Sequence, residues 1–459
     1  MTTHYFLLTT VFLLLVSCGR RELSRSASST LPAFEPYAGV PKVDARKLSP
    51  NSSLGQLMAF AVQRSPLLKT QYYLYLAARS RIAAVGQLPN PEIAYSWYAR
   101  SVETRDGPQR HRISITQKIP WPSKLGIQKD VARRSMELAG TRFETLQSFL
   151  LYDLKKSWFN LWRIGAQKKV LEELKKTLVV MEGIANARYK AQRGSMAGIL
   201  KLRLSREILS TKISRLESEG TVERARLNNI LGVSGLHFVF PRALPVYGAF
   251  EEKQLRARML RHNPLLEEQE RRLVVQRAAL ERARLSGYPD FMFNIGYIET
   301  GSTDLPGAVH SGQDPVIFTV GIAIPLWRSA ERAKREEQRA MMESASARKE
   351  TIKLRLLSRL ASVLAVLQNS RREVADYNTR LIPMARAALS LSLSGFIAGK
   401  GNLLTTFEVV RSVEDLRMGR IQALYREAVS VASLEQLCGA TLIRATLIRT
   451  RDKKVTVSQ

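Results

Sequence analysis

The sequence predicts a mainly helical chain, built as a tandem repeat, that also carries four amphipathic β-strands of membrane-spanning length. Three observations lead there. Short landmarks recur twice in one order at nearly constant spacing. Hydrophobic periodicity switches between two and about three and a half at matching places in each copy. The helical stretches are longer than a compact domain needs.

Composition bounds the reading. Of 459 residues, 45% are hydrophobic and 24% charged, which argues against a disordered chain. Lys and Arg number 71 against 40 Asp and Glu, a net charge of +31 that points to an anionic partner or surface. Two cysteines, Cys18 and Cys438, exclude a disulfide framework and a zinc ribbon. The five histidines are scattered without ligand spacing on a helix, so a zincin centre is excluded and no cofactor is expected.

The N-terminus reads as an address. Residues 6–16 form an apolar run of signal-peptide length, too short to span a bilayer. It ends in Leu15-Val16-Ser17-Cys18, which resembles a bacterial lipobox, although the first residues lack the usual Lys or Arg. We therefore expect a signal peptide over 1–17, a lipidated Cys18, and a Ser-, Arg- and Pro-rich tether over 18–51. An ordinary secretory signal is the alternative.

The repeat is legible in landmarks. Arg64-Ser65-Pro66-Leu67-Leu68 matches His262-Asn263-Pro264-Leu265-Leu266 at an offset of 198, and Pro91-Glu92 matches Pro289-Asp290 at the same offset. Ile119-Pro120 matches Ile324-Pro325 at 205; Tyr189-Lys190-Ala191 matches Phe396-Ile397-Ala398, and Gly194 matches Gly401, at 207. Residues 227–232 match 434–439 at 207 as well. Two copies follow, 52–232 and 252–439, joined by a connector over 233–251 and followed by a basic tail over 440–459.

Each copy opens with a helix, over about 54–88 and 253–285, ended by Pro89-Asn90-Pro91 or by Ser286-Gly287-Tyr288-Pro289. Leu54, Leu57, Ala61 and Leu68 make its apolar stripe in the first copy. Two strands come next, over about 91–102 and 110–120, then 289–300 and 315–325 in the second copy. Ile93, Tyr95 and Trp97 alternate with Ala94, Ser96 and Tyr98, while Val316, Phe318, Val320, Ile322 and Ile324 alternate with Ile317, Thr319, Gly321 and Ala323. About ten residues is what a tilted transmembrane strand needs. A hairpin packed on a soluble core gives the same pattern, so the strands alone do not decide. Each return strand ends in Ile-Pro and an aromatic, Trp121 or Trp327; such residues suit a membrane interface or a buried core. Long helices follow, over about 123–187 and 196–231 in the first copy, with coiled-coil-like spacing at Leu154, Trp158, Leu161, Leu171, Leu174, Leu178 and Met181. Pro383 must kink or split the matching helix of the second copy. Cys438, next to Gly439, reads as a small buried hydrophobe.

Taken together, these landmarks resemble the TolC family of outer-membrane efflux proteins over about residues 50–440. The Gln117-Lys118-Ile119-Pro120-Trp121-Pro122 stretch is most similar to members paired with heavy-metal resistance-nodulation-division pumps. The resemblance implies a homotrimer whose strands close a twelve-stranded barrel in outer-membrane lipid. Its helices would continue as a coiled-coil tube across the periplasm. It also implies passive export of drugs, metal ions or other small molecules, fed by a periplasmic adaptor and an inner-membrane pump. The periplasmic aperture then maps to the two hairpin tips. There the slots where many members carry Asp hold Gly198 and Thr405, Glu408 keeps an acid, and Lys190, Arg193 and Lys400 add positive charge. A ring of Glu408, a merely solvated Glu408, an anion-tolerant mouth and an adaptor-docking tip all remain open.

Rival classes have less support. No Gly-x-Gly-x-x-Gly, Gly-x-Ser-x-Gly or His-Glu-x-x-His occurs, and residues 395–400 are one residue short of a phosphate loop, so no enzyme is expected. Basic residues spread along every helix rather than in one patch, so no nucleic acid is expected. A periplasmic coiled-coil lipoprotein with a structural or tethering role is the alternative; paired hairpins at matching places in both copies count against it.

Overall fold

The computed structural model describes residues 48–439 apart from 249, 305, 307 and 308. The signal peptide, Cys18, most of the tether and the tail 440–459 lie outside the described residues. The chain runs through α1 (Leu54–Arg64), α2 (Pro66–Val85), β1 (Glu92–Val102), β2 (Gln109–Ile119), α3 (Pro122–Lys190) and α4 (Met196–Leu231). It continues through α5 (Glu252–His262), α6 (Pro264–Leu285), β3 (Asp290–Thr300), β4 (Val316–Ala323), α7 (Arg328–Asp376), a π-helical segment (Tyr377–Leu381), α8 (Ile382–Ile397) and α9 (Leu403–Cys438). Two compact units result: one from Ala78–Ala132 with Tyr288–Ile324, the other from Arg133–Gly287 with the remaining segments.

The opening helix of each half corrects the sequence reading, which draws it unbroken. It is two helices, divided at Ser65-Pro66 and again at Asn263-Pro264. The residue before a proline is pushed out of the helical region, and proline suits the first helical position because its missing N–H would have no partner there. Ser65 accordingly has ψ 120° and Asn263 ψ 118°. Asn263 then caps α6, its side-chain oxygen accepting from Leu266 N–H at 2.9 Å. At the far end of each half the last helix stops at a left-handed glycine, Gly232 or Gly439. A Cβ on Gly232 would come within 2.9 Å of Pro66, and one on Gly439 within 3.4 Å of Pro264, so the two breaks and the two caps meet in the same way.

In the first unit the strands form one antiparallel sheet in the order β1-β2-β3-β4. Its register lines up the large apolar residues. Ile93 pairs with Ile115, Ile115 with Ile295 and Ile295 with Phe318; one row along, Tyr95, Ile113, Tyr297 and Val316 pair in turn. Alternation puts every member of these rows on one face. That face is open: Ile93 is 69% exposed, Phe318 75% and Val320 65%. The other face is mainly small or polar, with Ala94, Ser114, Gly296 and the Asn294–Thr116 hydrogen bond at 2.7 Å, beside the apolar Met292, Ile298 and Ile317. Each of β1 and β4 has one paired neighbour among the described residues.

The second unit has the opposite arrangement. Leu171, Leu178, Met181, Ile199, Leu202, Phe396 and Val410 are buried together, and a further cluster joins Leu255 and Met259 to Leu360, Leu364, Leu434 and Cys438. The predicted stripe Leu54, Leu57, Ala61 and Leu68 is buried. Charges lie between the helices as ion pairs: Lys168–Glu217 at 2.6 Å, Lys212–Glu414 at 2.8 Å and Arg417–Glu173 at 2.6 Å. Lys155 and Glu435 form a buried pair at 2.6 Å.

The long arms of the two halves differ. Helix α3 is uninterrupted for 69 residues, about 100 Å at 1.5 Å per residue. Its counterpart passes through the π turn immediately before Pro383. Proline removes one helical hydrogen bond and crowds the carbonyl four residues back, and the wider turn relieves both. Tyr377 of this turn lies against Gly419, where a Cβ would collide with the phenol. Arg420 holds Asn378 beside it at 2.6 Å.

Candidate functional site

The two hairpin tips are built from matched positions. Helix α3 turns into α4 through residues 191–195, and α8 into α9 through 398–402. Arg193 N–H donates to the Arg188 carbonyl at 2.9 Å; 207 residues on, Lys400 N–H donates to that of Gly395 at 3.0 Å. The left-handed position is Gln192 in the first turn (φ 61°) and Gly399 in the second (φ 87°). The landmark glycines Gly194 and Gly401 are required by close approach: a Cβ there would stand 2.9 Å from Tyr189 N and 2.6 Å from Phe396 N.

The tips also grip each other. The Arg188 guanidinium donates to the Phe396 carbonyl and lies 4.6 Å from the centre of that ring. Lys201 Nζ sits 5.1 Å from the centre of the Phe407 ring. Gly198 makes room for Leu403, whose Cδ2 would be 2.5 Å from an added Cβ. A cavity of about 460 Å³ remains between the hairpins, lined by Arg188, Arg193, Gly198, Lys201, Phe396 and Leu403 among others. Sequence reasoning missed Arg188 and Lys201; each acts on an aromatic ring about 200 residues away, a pairing that local pattern does not encode.

Of the residues predicted to face the aperture, Lys190, Arg193, Lys400, Thr405 and Glu408 are exposed, while Gly198 is half-buried against Leu403. Beside Thr405, Thr406 turns inward and accepts from Ser392 at 2.9 Å. No salt bridge is formed by Glu408 among the described residues. The charge around it is one-sided. Residues 183–206 and 387–407 contain Arg188, Lys190, Arg193, Lys201, Arg203, Arg206 and Lys400, and neither Asp nor Glu. Glu182, just below, is held by Arg203 at 2.7 Å and Arg206 at 3.0 Å. Lys190, Arg193 and Lys400 have no carboxylate partner among the described residues.

The two predicted interface tryptophans have different surroundings. Trp121 is half-buried, its ring 5.8 Å from Phe291 and 5.5 Å from Tyr288. Its backbone N–H donates to Asp290 at 2.9 Å, and Lys124 contacts the same carboxylate at 2.9 Å. Trp327, just before α7, is 82% exposed. Among the described residues no cluster of metal-ligating side chains occurs, and no helix is long and apolar enough to cross a membrane.

No family model and no curated protein matches the sequence. Solved structures do match the fold. The outer-membrane channel OprN is 16% identical with a TM-score of 0.69, covering 87% of this chain and 96% of its own. CusC, described as forming a transmembrane channel, is 16% identical with a TM-score of 0.70, covering 92% and 99%. The open-state MtrE outer-membrane channel of Neisseria gonorrhoeae is 15% identical with a TM-score of 0.68, covering 92% and 98%. These three are described as channels, of the kind the TolC resemblance anticipates. At such identities the likeness establishes the fold: nearly the whole chain is folded as outer-membrane channel proteins are.

Proposed function

We propose that this chain is the outer-membrane exit duct of a tripartite export system. Three copies would each contribute four strands to a twelve-stranded barrel, with their helices forming the periplasmic tube. An adaptor and an inner-membrane pump, of the resistance-nodulation-division type, would feed it. Cargo would pass without chemistry, as drugs, metal ions or other small molecules. Cys18 would carry the lipid that tethers the mature N-terminus to the outer membrane, and Trp121 and Trp327 would lie at the membrane interface. In this reading the chain is a duplication, 52–232 and 252–439, with Lys190, Arg193, Gly198, Lys400, Thr405 and Glu408 around the periplasmic aperture.

One observation carries the reading. Most large apolar residues of the four strands share one largely exposed face, while the opposite face is mainly small or polar, with Met292, Ile298 and Ile317 as its apolar members. In water such a face is a liability; in lipid it is the required surface. A sheet with two open edges must close before it can sit in lipid, because no water is present there to satisfy its backbone groups. More copies of the same chain provide that closure. The test is electron microscopy of the protein extracted from outer membranes. A three-fold particle with a ring-like barrel and a long helical tail is expected. A monomeric rod would overturn the duct and favour a tether.

A further inference from the structure

The exposed basic residues of the two hairpin tips are a feature that the duct reading does not by itself explain. We infer that the helical mouth is a positively charged filter that favours anions, so that the cargo it passes best is a small anionic molecule such as a carboxylate, phosphate or oxyanion. This inference rests on the duct reading and deepens it.

Three features support it. Both tips lack acids throughout, over 183–206 and 387–407, while each carries exposed cations: Lys190 and Arg193 on one, Lys400 on the other. The nearby carboxylate that is buried, Glu182, is already committed to Arg203 and Arg206. The tip is also a fixed scaffold. Arg188 bridges the two hairpins through the Phe396 carbonyl and ring, and the turns that carry Arg193 and Lys400 are closed by matching backbone hydrogen bonds. The cations are therefore carried on closed turns of two hairpins that Arg188 ties together.

Electrostatics gives the consequence. Salt at physiological strength screens beyond about 8 Å. Charges bordering a constriction narrower than a few Debye lengths therefore set the sign of its potential, and low-dielectric walls strengthen that field. Rings of basic side chains are the usual device by which a pore prefers anions. Glu408, exposed on α9, opposes this potential with a single negative charge per chain. Against Lys190, Arg193 and Lys400 it is outnumbered, and three-fold assembly multiplies both signs equally.

The experiment uses the full-length protein in a planar bilayer separating unequal KCl solutions. A reversal potential on the chloride side of zero, with chloride several-fold more permeant than potassium, is the expected result. The triple variant Lys190→Gln, Arg193→Gln and Lys400→Gln should bring that ratio down towards unity. Its positions are exposed, so assembly should survive; if it does not, Lys400→Gln alone should give a smaller shift of the same sign. Glu408→Gln should keep the chloride preference or raise it. A potassium-preferring wild type, or a chloride preference unmoved in the variants, would overturn the charged mouth while leaving the duct intact. Absence of any conductance would instead remove the duct reading, and the mouth with it.

Discussion

The sheet and the helical unit use the same apolar side chains in opposite senses. In the sheet, Phe318, Val320 and Ile93 point outwards and are largely exposed. In the helical unit, Phe159, Leu171 and Met181 point inwards and are fully buried, while Arg, Lys and Glu pair between the helices. Burying apolar surface stabilises a protein only because water is the alternative. Under the proposed function, the inward set meets its own core and the outward set meets lipid, so the chain would serve two solvents.

Several substitutions break or sharpen that contrast. The largest effect is expected at the buried pair in the helical unit. Lys155→Met should remove the buried ammonium beside Glu435 and cost about 3–5 kcal/mol, while Lys155→Met with Glu435→Leu should recover most of the loss. Thermal melts in detergent read both. Next, Leu171→Ala should cost about 2–5 kcal/mol, because it opens a cavity in a packed cluster. Phe318→Ala, on the outward face, should leave the same detergent melt nearly unmoved.

The contrast reverses in a bilayer. There Phe318→Arg should cost about 2–4 kcal/mol of folding stability, read by urea titration in vesicles. Arg at an exposed helical site such as Val222 should cost far less. A penalty at Phe318 no larger than at Val222 would show that the sheet face meets water.

A smaller effect is set by pH. Partial desolvation of an otherwise exposed side chain, with the nearby Glu267, raises the Glu144 carboxyl above its ordinary value, against a smaller lowering by Arg271. An acid with a raised folded pKa contributes stability below its unfolded pKa, and that contribution is lost as pH rises through the folded value. Glu144→Gln should therefore melt slightly higher than wild type at neutral pH, with the gap closing below the ordinary carboxyl value of 4.5. The smallest expected signal is chemical. Burial pushes the Cys438 thiol up to about 11, so the folded protein should take up maleimide there far more slowly than the denatured chain.

What the sequence reveals follows the range of the physics. The strands are legible because a period of two survives in any ten-residue window, and all four lie within about two residues of where alternation puts them. Pro383 announces its kink, and the π segment directly before it is the form that kink takes. Pro66 and Pro264 are less legible, since proline is tolerated at the first position of a new helix and the apolar stripe runs straight through the break. At the tips, Gly194 and Gly401 are visible as repeated glycines, and the structure supplies their reason in a backbone that passes too close for a Cβ. The grip of Arg188 on Phe396 was out of reach, because nothing local links residues 208 positions apart. Trp121 and Trp327 follow matching Ile-Pro pairs, one directly and the other after Leu326, yet one is stacked and the other exposed, because only Trp121 has Tyr288 and Phe291 as neighbours.

The most direct test of the two-solvent account is a spin-label scan of β4 in lipid vesicles, with both Cys18 and Cys438 replaced by Ala so that each introduced cysteine is labelled alone. Labels at Val316, Phe318, Val320 and Ile322 should be relaxed by oxygen, which concentrates in lipid. Those at Ile317, Thr319, Gly321 and Ala323 should respond to a water-soluble nickel reagent, giving two period-two patterns out of phase. Patterns in phase, or nickel access at all eight positions, would contradict a sheet that turns its apolar face to the membrane.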